Sequence, residues 1–347
     1  MANLILGGAE RVTVNIIKQL DENFFDISLV IVLQEGILLK EIPTHVKLIN
    51  LNSKKTLFSL FKFRKTIQNI QPDIIYSTME HTSIAQYLAL LHLKNKPLIV
   101  LRNPSSPKLL AQEDKSKIAW KFLLKKAYQS SDKVLAQTPD MKKELIYYYN
   151  LNSKKIDVFT NPLDKVGIKE KIQNITTPFN KKNINVVAAG RLTHAKAFDV
   201  LLEAFKIVVE NNPKFVLHII GRDDGEKQYL LNIYKKLNLE NHVNFLGFQS
   251  NPYQFFYFSD LFVLSSRREG LPNAVLENLY LKKPIIATKC IPYMSTLINH
   301  GENGYITPIE DSKSLAEAIL NFKDLTQHGF TKHYQPSHVN TYFKNLK

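Results

Sequence analysis

The sequence predicts an α/β protein made of two doubly wound, Rossmann-like domains whose parallel sheets face each other across a cleft. Three observations carry that prediction. Short β-branched runs alternate with longer helix-period segments along the whole chain. The runs are apolar almost without interruption, as strands covered on both faces must be. They also fall into two sets separated by a polar stretch. A length of 347 residues suits two domains better than one core, and 44% hydrophobic with 22% charged residues is the balance of a folded chain.

In the first set DISLVIVL (26–33), DIIYS (73–77), PLIVLR (97–102), KVLAQT (133–138) and KIDVFTN (155–161) read as strands. In the second set the strands are INVVAAG (184–190), KFVLHIIG (214–221), HVNFLG (242–247), DLFVLSS (260–266) and KPIIATK (283–289). The domains are expected at 1–165 and 184–330, with 166–183 as a polar linker and 331–347 as a helical tail packing back on the first domain. The amino terminus is anomalous. GGAERVTVNIIKQL reads as a glycine turn and an amphipathic helix, yet only MANLIL stands where a strand should precede it. The first strand is expected to be very short or missing, as a late start codon or a truncated gene would leave it.

The single cysteine, Cys290, excludes an intramolecular disulfide, argues against a zinc site and fits a reducing compartment. No apolar run approaches the roughly 18 to 20 residues of a membrane-spanning helix, and MANLILGG has no basic region of a signal peptide. A cytoplasmic protein is expected. The formal charge of +15 raises nucleic acid and anionic membranes as partners. Zinc-finger spacing and the aromatic motifs of RNA-binding sheets are missing, so no nucleic-acid partner is expected.

The stretch SSRREGLPNAVLEN (265–278) places charge where a buried strand ends. Gly270 permits a tight turn and Pro272 suits the first position of a helix, so the amides of Gly270, Leu271 and Asn273 would lie at the positive end of a helix dipole. In an open parallel sheet that is the ligand-binding edge, and an anion fits it. Glu269 and Glu277 flank this cradle and suit hydroxyls, a sugar on one side and a ribose on the other. Two glutamates at this spacing and a Gly-x-Pro helix start also occur by chance. A second stretch, VVAAGRLTHAKAFDVLLEAF (186–205), adds Arg191 and Lys196 after another strand. A guanidinium fork and an ammonium suit a diphosphate, although two bases near a turn are also an ordinary surface feature.

GGAER (7–11), NPLD (161–164), GRLTHAKAFDVLLEAF (190–205), VNFLGF (243–248) and REGLPNAVLEN (268–278) occur in the order seen in family 4 glycosyltransferases, which the chain resembles over most of its length. These are retaining enzymes of the GT-B fold, of the type that builds bacterial surface polysaccharide and lipopolysaccharide. The resemblance implies that Arg191 and Lys196 bind the donor diphosphate and stabilise the departing nucleotide. It implies that Glu269 contacts the donor sugar, that Gly270, Leu271, Pro272 and Asn273 touch sugar and phosphate, and that Glu277 binds the ribose. It places Gly247 and Phe248 at the base, and Gly7 and Gly8 in a loop that closes over the phosphates. Asn103 falls where many relatives carry a histidine near the reaction centre, and His81 is a poor substitute by position. Ala197 stands where a glycine usually follows the lysine. Lys282 and Lys283 replace a Gly-x-Pro approach, and CIPYMSTLI lacks the glycines and glutamate common there.

The implied chemistry is front-face substitution, in which the leaving phosphate takes the acceptor's proton and Glu269 need not be a nucleophile. No metal or other cofactor is expected, since two side-chain cations neutralise the diphosphate; Asp223 and Asp224 in GRDDGEK read as a solvated turn. The expected substrates are a nucleotide-sugar donor, a UDP-sugar first, and a glycan or lipid-linked acceptor. Basic residues interleaved with aromatics in KKTLFSLFKFRK (54–65) and KSKIAWKFLLKKAYQSS (115–131) suit an anionic membrane, which places the protein peripherally on the inner face of the cytoplasmic membrane. Snorkelling lysines on a packed helix give the same pattern. Two other classes stay open. One is a degenerate relative acting as a binding or scaffold subunit. The other is a dinucleotide-dependent oxidoreductase, whose glycine spacing GGAER does not supply.

Overall fold

The computed structural model describes residues 1–5, 7–112 and 118–346. The chain divides into two compact units, Met1–Asp164 with Pro336–Lys347, and Lys165–Gln335.

The first unit opens with helix α1, Gly8–Gln19, which buries Val12, Val14, Ile16 and Ile17 as its apolar spacing requires. Among the described residues no strand precedes it. Strands β1, Ser28–Ile31, and β2, Lys47–Asn50, form a parallel pair. Strands β3 (Ile74–Thr78), β4 (Leu98–Arg102), β5 (Lys133–Ala136) and β6 (Ile156–Val158) form a parallel sheet in that order. The β2 strand is not legible in the sequence, because KLIN is short and none of it is fully buried. The tail helix Val339–Lys344 belongs to this unit: Phe343 packs on Tyr76 and Phe159, and Tyr342 donates to Asp157 Oδ2 at 2.8 Å.

The motif NPLD acts here as a clamp. Asn161 Oδ1 accepts from the buried Arg102 at 2.5 Å. The carbonyls of Pro162 and Leu163 accept from Asn15 and Gln19 of α1, both at 2.9 Å, and Asp164 pairs with Lys18 at 2.7 Å. Four consecutive residues thus join β4 to one face of α1.

The second unit is a six-stranded parallel sheet. Its strands are β7 (Ile184–Ala189), β8 (Phe215–Ile220), β9 (Val243–Gly247), β10 (Leu261–Leu264), β11 (Ile285–Thr288) and β12 (Gly304–Thr307), in the order β12-β11-β10-β7-β8-β9. Every residue of β8, β10 and β11 is buried, the mark of strands covered on both faces. The segment expected as a linker is instead part of this unit. It contains the helix Lys165–Lys171, whose Lys171 carbonyl accepts from Asn251, and its Phe179 ring lies 4.3 Å from that of His218. Its polar sequence hides two buried apolar side chains, Ile168 and Phe179, too few to make a period.

His218, 8% exposed under Phe179, has Nε2 3.1 Å from Asn185 Oδ1, and burial pushes the imidazole down to about 4. Its unfolded value is near the ordinary 6.5, so the unfolded chain binds the extra proton first. This contribution to stability is complete above about pH 6.5 and is lost as the pH falls toward 4, by on the order of 3 kcal/mol. His218→Gln is expected to flatten the decline in Tm across that window, measured by thermal melts of both proteins from pH 7 to 4.5.

Candidate active site

The strand order of the second unit reverses between β7 and β10: β8 and β9 continue on one side, β11 and β12 on the other. Such a switch point opens a crevice at the carboxyl ends of the two central strands. The loops after β7 and β10 therefore meet there, and they hold Arg191, Lys196 and Glu269.

The loop after β7 turns through a short 3-10 helix, His194–Lys196, into helix α8, Phe198–Asn211. The joining residue, Ala197, has φ 51° and is 1% exposed. That left-handed conformation favours glycine; alanine costs about 1 kcal/mol of backbone strain. Lys282, at φ 58°, repeats the pattern after the helix Asn273–Tyr280. At Gly190 a Cβ would meet Cδ and Cε of Lys196 at 3.1 Å, so the bare backbone gives the lysine stem its bed. At Gly221 a Cβ would meet the Gly190 carbonyl at 1.7 Å, so β7 and β8 approach as closely as backbones can.

The loop after β10 is bonded to the first one throughout. Ser265 Oγ donates to the Lys196 carbonyl at 2.9 Å, and the Arg267 amide donates to the Ala195 carbonyl at 2.9 Å. The Lys196 ammonium binds Glu269 Oε1, and Ser266 Oγ donates to that same oxygen at 2.7 Å. Lys196 and Glu269 are 22% and 13% exposed, open enough for a ligand yet poorly screened. Arg191 is more open, at 55%, and holds Asp224 Oδ2 at 2.8 Å. Asp223 is committed to its turn, with Oδ1 accepting from the Gly225 and Lys227 amides. Among the described residues no group of three or more His, Cys, Asp or Glu side chains is placed to hold a metal ion.

Helix α11 runs Asn273–Tyr280, one residue later than expected, with Pro272 as its cap and no capping side chain. Leu271 is buried, whereas Gly270 and Asn273 keep partial exposure. Glu277 is 8% exposed and accepts from the Tyr253 hydroxyl at 3.1 Å, so the expected ribose ligand is oriented by an unforeseen tyrosine. Gly247 ends β9 at φ 66°, and its carbonyl accepts from the Gly221 amide; Phe248 beside it is 43% exposed.

In the first unit, Gly7 caps α1 and Gly8 is its first residue. Asn103 is fully buried; its Oδ1 accepts from the Tyr128 hydroxyl at 2.9 Å, and its Nδ2 donates to the Ser105 carbonyl at 2.5 Å. His81 lies on α3 (Glu80–Leu90), where burial lowers its pKa.

Three further participants were not foreseen. Ser266 and Ser265 are visible only as the end of a strand. Arg267 reads like any loop arginine, yet it is the brace of the site: it binds both oxygens of Asp199 at 2.9 and 2.7 Å, both oxygens of Glu310, and the His194 carbonyl at 2.7 Å. The Asp199 hydrogen bond raises the Arg267 pKa further; burial alone would lift Asp199, but Arg267 holds it below the usual carboxylate range. Cys290 stays a thiol, since burial and then the Glu269 carboxylate push it up to about 12.

Comparisons with known proteins agree with this arrangement. Residues 6–165 match the family described as Glycosyltransferase Family 4, and residues 169–329 match Glycosyl transferases group 1. An uncharacterized glycosyltransferase of Methanocaldococcus jannaschii is 31% identical over 254 residues, covering 68% of this chain and 60% of its own. The UDP-Gal:alpha-D-GlcNAc-diphosphoundecaprenol alpha-1,3-galactosyltransferase of Escherichia coli is 26% identical over 340 residues, covering 92% of this chain and 86% of that one. Among solved structures, Anabaena HepE in complex with UDP and glucose superposes with a TM-score of 0.78 at 18% identity, over 100% of this chain and 97% of that one.

Arg267→Ala is expected to lower stability by about 2–3 kcal/mol, because it leaves Asp199 and the His194 carbonyl without their partner. Arg267→Lys should recover less than half, as an ammonium cannot serve two carboxylates in a plane. Urea unfolding of the three proteins checks both.

Matched in both halves and in chain order, and carrying its basic pair and its two glutamates around the switch point, this chain is a glycosyltransferase of family 4 with the GT-B fold.

Proposed function

We propose that the protein is a retaining transferase that moves a sugar from a UDP-sugar to a glycan or lipid-linked saccharide in surface-polysaccharide synthesis, bound peripherally to the inner face of the cytoplasmic membrane. The observation that carries the reading is the contact of Lys196 and Ser266 with one oxygen of Glu269, beside the open Arg191.

A diphosphate would replace Asp224 on Arg191 at little cost, since that ion pair is largely solvated. Arg191 and Lys196 would then stabilise the negative charge that grows on the leaving phosphate, in the role of a metal ion. A carboxylate already shared by an ammonium and a hydroxyl is a poor nucleophile and a good acceptor for sugar hydroxyls, which favours front-face substitution. The bond from the anomeric carbon to the phosphate oxygen breaks, the acceptor oxygen bonds on the same face, and its proton passes to the departing phosphate. UDP is the nucleotide named for both the Escherichia coli enzyme and the HepE complex, and a lipid diphosphate is named as the acceptor of the former.

UDP at one hundred times its Kd should stabilise the protein by about 2.7 kcal/mol, a thermal shift that GDP, ADP and NAD do not match. Arg191→Ala with Lys196→Ala should abolish it. Glu269→Gln should keep it while losing sugar transfer, and transfer at the parental rate by that variant would sink the site assignment. A UDP shift without transfer from any UDP-sugar would favour the binding-only relative.

The membrane reading rests on the first unit. Phe58 and Phe61 are 73% and 79% exposed, and Ile118 and Phe122 are 69% and 58% exposed. Lys54, Lys55, Lys62 and Lys65 surround the first pair, and Lys125 and Lys126 follow the second. The opposite side of helix α5 (Ile118–Ser130) buries Leu124, Ala127 and Tyr128, so the helix packs inward and presents apolar residues outward at once. Lys115 and Lys117 lie outside the described residues. No described helix is long and apolar enough to cross a membrane. The protein should float with phosphatidylglycerol-containing vesicles at low salt, and Phe58→Ser or Phe61→Ser should each cut that binding about tenfold. No flotation would remove the idea.

A further inference from the structure

Glu277 is held from a direction that its own motif does not announce. It lies on α11, whereas the hydroxyl that donates to it belongs to Tyr253, the first residue of the helix Tyr253–Phe258. Both side chains are buried, Tyr253 at 4% exposure. The tyrosine ring is fixed by its neighbours. Phe256 meets it edge-on at 6.1 Å, and Phe256 in turn meets Phe262 of β10 edge-on at 5.6 Å. The Lys171 ammonium stands over the same ring, 5.7 Å from its centroid, a contact that attracts a cation to the ring face. Two residues ahead of Tyr253, the Asn251 amide donates to the Lys171 carbonyl at 2.9 Å. The helix Lys165–Lys171, in the stretch read as a linker, thus helps to hold the ring.

The chemistry of a glutamate gives that hold a consequence. Its terminal torsion is broad, so burial alone leaves the plane of the carboxylate undefined. A fixed hydroxyl donating to Oε1 at 3.1 Å defines it. A carboxylate of defined plane presents two oxygens side by side, and the 2′ and 3′ hydroxyls of a ribose present two donors side by side. Each bond is charge-assisted, and an acceptor that is already oriented loses less freedom on binding.

We propose that Tyr253 is a positioning residue that, through Glu277, makes the nucleotide pocket select a ribose diol, and so a ribonucleoside diphosphate sugar over a deoxyribonucleoside one. The proposal rests on the reading of Glu277 as the ribose acid and adds to it a residue outside the REGLPNAVLEN motif.

Calorimetric titration with UDP and with 2′,3′-dideoxy-UDP, which lacks both hydroxyls, tests it. The parent protein should prefer UDP by about a hundredfold, roughly tenfold for each hydroxyl bound to a charged group. Tyr253→Phe removes one oxygen from a packed ring. It should cut that preference about tenfold by weakening UDP, leave the dideoxy nucleotide within about twofold, and show its loss in the donor KM rather than in kcat. In a Glu277→Gln background the same substitution should change nothing further, because Tyr253 acts through the carboxylate. Equal losses for both nucleotides, or an unchanged preference, would make Tyr253 a packing residue and overturn the proposal while the ribose role of Glu277 stands. A preference that Tyr253→Phe lowers even in the Glu277→Gln background would make the contact with ribose direct and overturn the positioning role. A parent protein that binds both nucleotides equally, or neither, would overturn the ribose reading of Glu277 and the proposal with it.

Discussion

The parallel pairing of β10 with β7, Leu261 against Val186 and Phe262 against Val187, is the constraint on which the candidate site depends. These strands are 75 residues apart in sequence, as Asp260 and Asn185 show where Asn185 donates its amide to Asp260. Pairing them brings two loops and two helix starts to one edge of the sheet. Each loop alone is polar, short and unremarkable in composition. Together they exchange backbone and side-chain bonds until Lys196, Ser266 and Glu269 meet. A parallel sheet cannot join adjacent strands with a tight turn, so the distance in sequence is built into the architecture.

That joint carries strain and charge, and both are contained locally. Ala197 holds a left-handed conformation that glycine would hold without cost. The compensation lies in Arg267, which fastens the start of α8 through Asp199, the preceding turn through His194, and the 310 loop through Glu310. A guanidinium can do this because its five donors lie in one plane and reach several acceptors at once. The reactive-looking pair beside it, Lys196 with Glu269, is balanced in charge. Arg191 is the more exposed of the two cations and is paired with Asp224; Lys196 is engaged by Glu269.

In the first unit the same logic serves structure instead of chemistry. Arg102 is 2% exposed, and burial lowers its pKa; its contacts are the oxygens of Asn161 and Thr78. The NPLD motif, which the resemblance brought in as a family mark, proves to be the clamp between this arginine and α1. Asn103 next to it is buried too and holds Tyr128 and Ser105. The carboxyl edge of a parallel sheet gathers polar groups whether or not they touch a ligand.

The sequence by itself determined the class of fold, because continuous apolar runs at strand length and amphipathic segments at helix length are local properties. It also offered a chemical inventory, Arg191, Lys196, Glu269 and Glu277, as charges that follow two apolar strands. Short or weakly buried pieces escaped it. KLIN and GYIT carry too few apolar residues to announce β2 and β12, and two buried apolar side chains, Ile168 and Phe179, gave no period to the stretch read as a linker. Only the tertiary structure decided which polar residues act together. Ser266, Arg267 and Tyr253 acquire partners through contacts that a sheet makes between distant segments, and such contacts leave no pattern along the chain.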